Sequence, residues 1–311
     1  MKVLFHYAAG PDLTVRLSAL GLDVAICPDN DDARLGEMLR ETEVLWHVLR
    51  PADAALIRAA PRLRLIQKIG VGVNTIDLDA ARARSIAVCN LPGTNARAVG
   101  ELALLLMLAA LRRLPLFDRS TRAGQGWSLD PAVQDGLGEL GSRTVGLVGF
   151  GSVPQALAPV LAALGCRVLY TARQQRAHAI AEFRDLEGLL AESDIVSLHV
   201  PLRPETAHLI DAGRIARMKR GAILINTARG GLVDQAALTA ALQSGQLGAA
   251  GLDVFAAEPV GPTDPILKLD TVVLSPHVGW LTAETFERSF ALAAENVRRL
   301  AAGSPLLHQI V

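Results

Sequence analysis

The 311-residue sequence lacks net charge: its 31 Lys and Arg are matched by 31 Asp and Glu. It therefore has no overall positive field to draw it to phosphate backbones or anionic lipid, and neither nucleic acid nor a membrane is an expected partner. Aromatic residues make up only 4% of the chain, too few for a base-stacking surface. Cysteine is scarce as well. Cys27, Cys89 and Cys166 are odd in number, widely spaced and set in apolar strand-like runs, a pattern that excludes a disulfide framework and suits buried free thiols in a reducing cytoplasm. There is no long hydrophobic run: the longest apolar block, Leu102 to Leu111, is roughly half a membrane span. The start, MKVLFHYAAG, carries one lysine and too short an apolar run for a signal peptide, so it reads as a first strand. No histidine or cysteine spacing suggests a metal site.

What is present is an alternation of short apolar runs with helix-period segments, the pattern of parallel sheets covered by helices. The fold class is α/β. KVLFHYA (2–8), LDVAICP (22–28), EVLWHV (43–48), LRLIQKIG (63–70) and IAVCNLP (86–92) make one doubly wound, flavodoxin-like unit. ARAVGELALLLMLAALRRL reads as a long buried helix closed by Arg112, Arg113 and Pro115. Residues 117–140 have no clear period and read as either a mobile loop or an arm ordered by a partner subunit. A second, Rossmann-like series of six strands starts at Thr144: TVGLVGF, CRVLYTA, DIVSLHV, AILINTA, AGLDVF and TVVLSPH. The last helix, Thr285 to Ala302, follows that completed series. It is expected to return to the first domain, making residues 96–283 a dinucleotide-binding insertion in a substrate domain of residues 1–95 and 284–311.

VGLVGFGSVPQALAPVL, Val145 to Leu161, reads as strand, glycine turn and helix, but the third glycine of a G-x-G-x-x-G fingerprint is replaced by Pro154. Gly149 can supply the tight bend, and Gly151 the close approach to a pyrophosphate. Ser152 and Val153 keep their N–H donors. The third glycine serves helix-on-strand packing, and proline is tolerated in a first helical turn, so the helix is expected to start near Pro154 with the site intact.

At the end of the next strand, about twenty residues after the first glycine, NAD-specific sites place an acid for the ribose hydroxyls. LYTARQQR has none, offering Arg173 and Arg176 instead. A guanidinium pairs with a 2′-phosphate, so NADP(H) is favoured, with NAD(H) possible.

Three more strand ends are rich in polar residues: INTARGGLVD, GLDVFAAEP and SPHVGW. With PRLRLIQKIGVGVNTIDLDAA, NLPGTNARAVGELALLLML, SDIVSLHVPLRPETAHLI and MKRGAILINTARGGLVDQAAL, these segments make nearly the whole chain resemble the D-isomer-specific 2-hydroxyacid dehydrogenase family, which includes glyoxylate/hydroxypyruvate reductases and phosphoglycerate dehydrogenases. The resemblance implies a split substrate domain, an inserted dinucleotide domain and a homodimer held by the long helix and the arm. It implies Arg229 for the substrate carboxylate and carbonyl, His277 as proton donor and Glu258 as its partner. Asp253 matches the acid holding the nicotinamide carboxamide, and Val71 and Gly72 match amides that cradle the substrate carboxylate. Pro201, Thr206, Thr227 and Ala228 fall at matching positions along the dinucleotide.

The chemistry suits those assignments. Reducing a 2-keto acid needs a proton at oxygen, which histidine supplies near neutral pH, especially beside a carboxylate. An arginine grips a carboxylate with two prongs. Glu258 separates this chain from formate dehydrogenases, which pair the histidine with glutamine, and Val71 separates it from phosphite dehydrogenases, which carry lysine there. His47 falls near a substrate-facing loop, and Trp280 is a candidate wall for the substrate tail, both favouring a small uncharged substituent over a phosphate. His199 reads as structural, and His6, His178, His208 and His308 stand in no constellation. The chain also ends without the regulatory domain many phosphoglycerate dehydrogenases append. The leading expectation is NADPH-dependent reduction of small 2-keto acids such as glyoxylate and hydroxypyruvate. The alternatives are an NAD-linked dehydrogenase of another hydroxy acid, such as phosphoglycerate, and a dinucleotide-sensing scaffold of the corepressor type.

Overall fold

Strands that are apolar on both faces pair in parallel only where helices cover both sides, and the computed structural model is built this way. It describes residues 1–128, 130–175 and 180–311. The chain divides into two compact units, Met1–Asn95 with Leu281–Val311, and Ala96–Trp280.

In the first unit, Lys2–His6 (β1), Asp23–Cys27 (β2), Val44–His47 (β3), Leu65–Lys68 (β4) and Ala87–Cys89 (β5) alternate with Pro11–Ser18 (α1), Asp32–Leu39 (α2), Ala54–Ala59 (α3) and Leu78–Ala83 (α4). All strands are parallel, in the order β2-β1-β3-β4-β5, the flavodoxin-like arrangement. Asp53 and Asp77 accept the Leu56 and Ala80 amides at the starts of α3 and α4, caps worth about 1 kcal/mol each. The final helix of the chain, Ala283–Ala301, packs here too. Its Phe290 ring stacks on Trp46 and meets Phe5 edge-on, both at 5.5 Å, while Asn296 donates to Gln67 Oε1 at 2.7 Å.

In the second unit the strands are Thr144–Val148 (β6), Arg167–Thr171 (β7), Ala181–Phe183 (β8), Ile195–Leu198 (β9), Ala222–Asn226 (β10), Leu247–Leu252 (β11) and Val272–Leu274 (β12). Their order, β12-β11-β10-β9-β6-β7-β8, reverses direction beside β6, the switch point at which open α/β sheets bind ligands. β8 is a seventh strand that the sequence does not announce: its three residues carry little period, and its pairing to β7 is completed by Arg167 gripping Glu182 at 2.9–3.0 Å.

The helices of this unit that bear on function are Ala96–Leu111 (α5), Leu114–Arg122 (α6), Pro131–Asp135 (α7) and Ser152–Ala163 (α8). Two expectations change here. α5 is not wholly buried, since Leu105 and Leu108 lie exposed on one face. The segment read as periodless begins inside α6 and contains α7; the starts of the two helices carry Pro115 and Pro131, a residue type tolerated in a first helical turn. Gly100 brings α5 against α8: a Cβ on it would stand 3.8 Å from Leu157 Cβ and from the Val153 carbonyl oxygen.

Candidate active site

The glycine turn leaves β6 at the switch point. Gly149 adopts φ +98°, and a Cβ there would stand 2.6 Å from the His199 carbonyl oxygen, so only glycine fits. Gly151 has an ordinary φ of −83°, and a Cβ on it would meet nothing within 4 Å. α8 begins at Ser152, so Pro154 is its third residue and lies in the first turn. A first-turn proline gives up an N–H that has no partner within the helix, and Pro154 is buried among the core-facing residues of α8. On β6 itself, Gly146 lets the helix Leu186–Glu192 approach the strand: a Cβ there would stand 2.3 Å from Ser193 Oγ and 2.5 Å from Leu189 Cδ2.

Arg173 lies exposed two residues beyond β7, the strand next to β6. Arg176, together with His178, falls outside the described residues. Thr206 Oγ1 donates to the Pro201 carbonyl at 2.7 Å, folding the segment after β9 into a short turn. Thr227, just past β10, is 8% exposed, and its hydroxyl has no hydrogen-bond partner among the described residues. A buried hydroxyl without a partner, an open Gly151 and a glycine-only bend at Gly149 together fit a dinucleotide.

Arg229, Glu258 and His277 stand on the segments that follow three neighbouring strands, β10, β11 and β12. Arg229 follows β10, where the buried Asn226 shapes the turn by accepting from the Ala228 amide at 3.0 Å and donating to the Arg229 carbonyl at 2.9 Å. The next residue, Gly230, lies directly against the turn after β11: a Cβ on it would fall 1.8 Å from the Phe255 carbonyl oxygen. That contact brings the turn of Arg229 against the turn of Glu258. Burial lowers the Arg229 pKa, and the Glu258 charge opposes it.

Glu258 is anchored at both oxygens. Oε1 accepts the Phe255 amide at 3.0 Å, and Oε2 contacts His277 Nδ1 at 2.7 Å. Burial alone would raise its pKa, but the His277 and Phe255 hydrogen bonds and the His277 and Arg229 charges outweigh it, so the carboxyl is held below its ordinary value. An ionised carboxylate only accepts, so Nδ1 carries a proton and Nε2 is the nitrogen left for chemistry. His277 itself has φ +56°, a left-handed conformation that costs a non-glycine residue on the order of 1–3 kcal/mol.

Asp253 is 1% exposed. Its carboxylate accepts Ser275 Oγ at 2.7 Å and the Val278 and Gly279 amides at 2.9 Å. The resemblance implied a nicotinamide contact for this residue; its contacts within the chain are to the loop that carries His277. Trp280 is 8% exposed, and its indole N–H donates to the His277 carbonyl at 3.0 Å. Asn226 and Ser275 were not singled out from sequence, although an Asn two residues before a buried amide is a recurring turn signal.

In the first unit, His47 is fully buried at the end of β3 and lies 3.4 Å from Lys68 Nζ through Nδ1. Burial and the Lys68 charge lower its pKa well below the ordinary value. Val71 and Gly72 stand in the turn after β4, with Val71 exposed and its carbonyl accepting Asn90 Nδ2 at 2.9 Å. His199 bonds Ser197 Oγ at 2.9 Å. Among the described residues no group of His, Cys, Asp and Glu could hold a metal ion, and no helix is long and apolar enough to cross a membrane.

Residues 104–279 match the family model described as the NAD binding domain of D-isomer specific 2-hydroxyacid dehydrogenases. The chain is 42% identical over 268 residues to a glyoxylate reductase of Korarchaeum cryptofilum, covering 84% of this chain and 80% of that one. It is also 42% identical over 280 residues to the D-3-phosphoglycerate dehydrogenase of Mycobacterium tuberculosis, covering 89% of this chain and only 52% of that one, so it spans about half the length of that relative. The solved TT0316 protein of Thermus thermophilus superposes with a TM-score of 0.89 at 38% identity, over the whole of both chains.

Proposed function

Because the chain belongs to the D-isomer specific 2-hydroxyacid dehydrogenase family, we propose that it reduces small 2-keto acids, glyoxylate and hydroxypyruvate foremost, with NADPH. The observation that carries this reading is the trio of Arg229, Glu258 and His277 on three adjacent strand ends, with Glu258 and His277 joined at 2.7 Å. The turn of Gly149, Gly151, Ser152 and Val153, with Thr227, would hold a dinucleotide, which when bound would supply the hydride. Arg229 grips the substrate carboxylate and orients the keto carbon. His277, its Nδ1 fixed by ionised Glu258, gives the proton on Nε2 to the keto oxygen.

The absence of an acid after β7 and the exposed Arg173 support NADPH over NADH. A phosphorylated hydroxy acid is the second reading, favoured by the 42% identity to the phosphoglycerate dehydrogenase. A homodimer is part of the proposal. Leu105 is 54% exposed, Leu108 40%, Leu114 53% and Trp127 90%, an apolar surface on α5, α6 and the loop after them suited to a second copy. The three buried free cysteines support a reducing compartment, the cytoplasm. His277→Ala tests the assignment: turnover of 2-keto acids should fall by about a hundred- to ten-thousandfold while dinucleotide binding persists. Unchanged turnover would remove His277 from the reaction.

A further inference from the structure

The left-handed backbone of His277 decides where its imidazole points. At φ +56° the Cα–Cβ bond is set so that Nδ1 meets Glu258; a return to the right-handed or extended region would swing the ring off that carboxylate. A residue with a Cβ keeps this conformation where neighbouring groups hold it there. The His277 N–H donates to the Asp253 carbonyl at 2.7 Å, and its carbonyl accepts the Trp280 indole N–H at 3.0 Å. On either side, Ser275 Oγ and the Val278 and Gly279 amides converge on the Asp253 carboxylate at 2.7–2.9 Å. Gly279 leaves room for this approach: a Cβ there would stand 3.0 Å from Asp253 Oδ2, tighter than an ordinary contact.

We propose that Asp253 and Trp280 are positioning residues for proton transfer, forming a clip that holds the 275–280 loop so that His277 faces Glu258 through Nδ1 and substrate through Nε2. The clip rests on the reading of His277 as proton donor. It gives the buried Asp253 carboxylate a task in the chain itself, and it gives the Trp280 indole a polar role beyond that of a wall.

The test uses the full-length protein with NADPH and glyoxylate and two substitutions that remove one donor each while keeping bulk. Trp280→Phe deletes the indole N–H, and Ser275→Ala deletes the hydroxyl bond to Asp253. Each should lower kcat about three- to tenfold, the worth of one hydrogen bond, with the KM for glyoxylate and the affinity for NADPH within about twofold of wild type. NMR of protein carrying isotope-labelled histidine should show the hydrogen-bonded Nδ1–H signal of His277 weakened in both variants. A raised KM with unchanged kcat in Trp280→Phe would overturn the proposal and leave Trp280 as a pocket wall. So would unchanged kinetics and an unchanged signal in both variants. If the wild-type protein reduces no 2-keto acid, the functional reading fails separately. The His277 signal then decides alone: weakening in both variants supports the clip, and a signal unmoved by either contradicts it.

Discussion

Arg229 carries its charge in a buried setting. Burial works against that charge and lowers its pKa, while the Glu258 charge works for it; in the proposed reaction a substrate carboxylate would add a two-pronged partner. Lysine at this position is a single point charge and cannot reproduce the fork. Arg229→Lys should therefore raise the KM for a 2-keto acid by at least about tenfold, measured by steady-state kinetics, because the lost prong is a charge-assisted hydrogen bond worth about 1.5–3 kcal/mol. A KM within error of wild type would show that Arg229 does not bind the carboxylate. Cys89 illustrates the opposite use of burial. Its thiol is pushed up to about 11, so a thiol reagent at pH 8 should leave it unlabelled until the protein is unfolded; fast labelling of native protein would contradict its buried placement.

Among the elements, the turn from β6 into α8 separates fold from ligand. Gly149 combines φ +98° with a His199 carbonyl 2.6 Å from a Cβ position, whereas Gly151 has an ordinary φ and open space. Gly149→Ala should cost at least about 2 kcal/mol of stability, read as a lower Tm. Gly151→Ala should leave the Tm nearly unchanged yet weaken dinucleotide binding at least about tenfold, because its Cβ enters the path of the pyrophosphate. Equal effects of the two on Tm would contradict this division. The same turn shows what sequence made legible. Strand, glycine bend and helix could be read from Val145 to Leu161, because apolar period and glycine spacing are local. So could the start of α8 near Pro154, because proline is tolerated in a first helical turn. β8 was missed because three residues with an exposed Glu182 show a strand only through their partner β7 and the Arg167 pair. Asp253 was matched through the resemblance to a nicotinamide contact; its donors within the chain could not be read, because they arrive from residues 275–279, a strand away.

For the molecule as a whole, acid stability carries a further signature. Burial lowers the His199 pKa from 6.5 to about 3. Between those values the unfolded chain binds a proton that the folded protein excludes, so stability is complete above about pH 6.5 and falls as pH drops toward 3. Urea midpoints should decline through that window, and less steeply in His199→Asn; an identical slope in both proteins would contradict neutral burial of His199. The central claim concerns the whole molecule too: the two glycines, Arg173 and the trio make one NADPH-linked 2-keto acid reductase. Its most direct test is the loss of NADPH absorbance when purified protein meets glyoxylate or hydroxypyruvate, run beside NADH. The account predicts fast consumption of NADPH and slow consumption of NADH, and no consumption with any 2-keto acid, despite measurable dinucleotide binding, would contradict it.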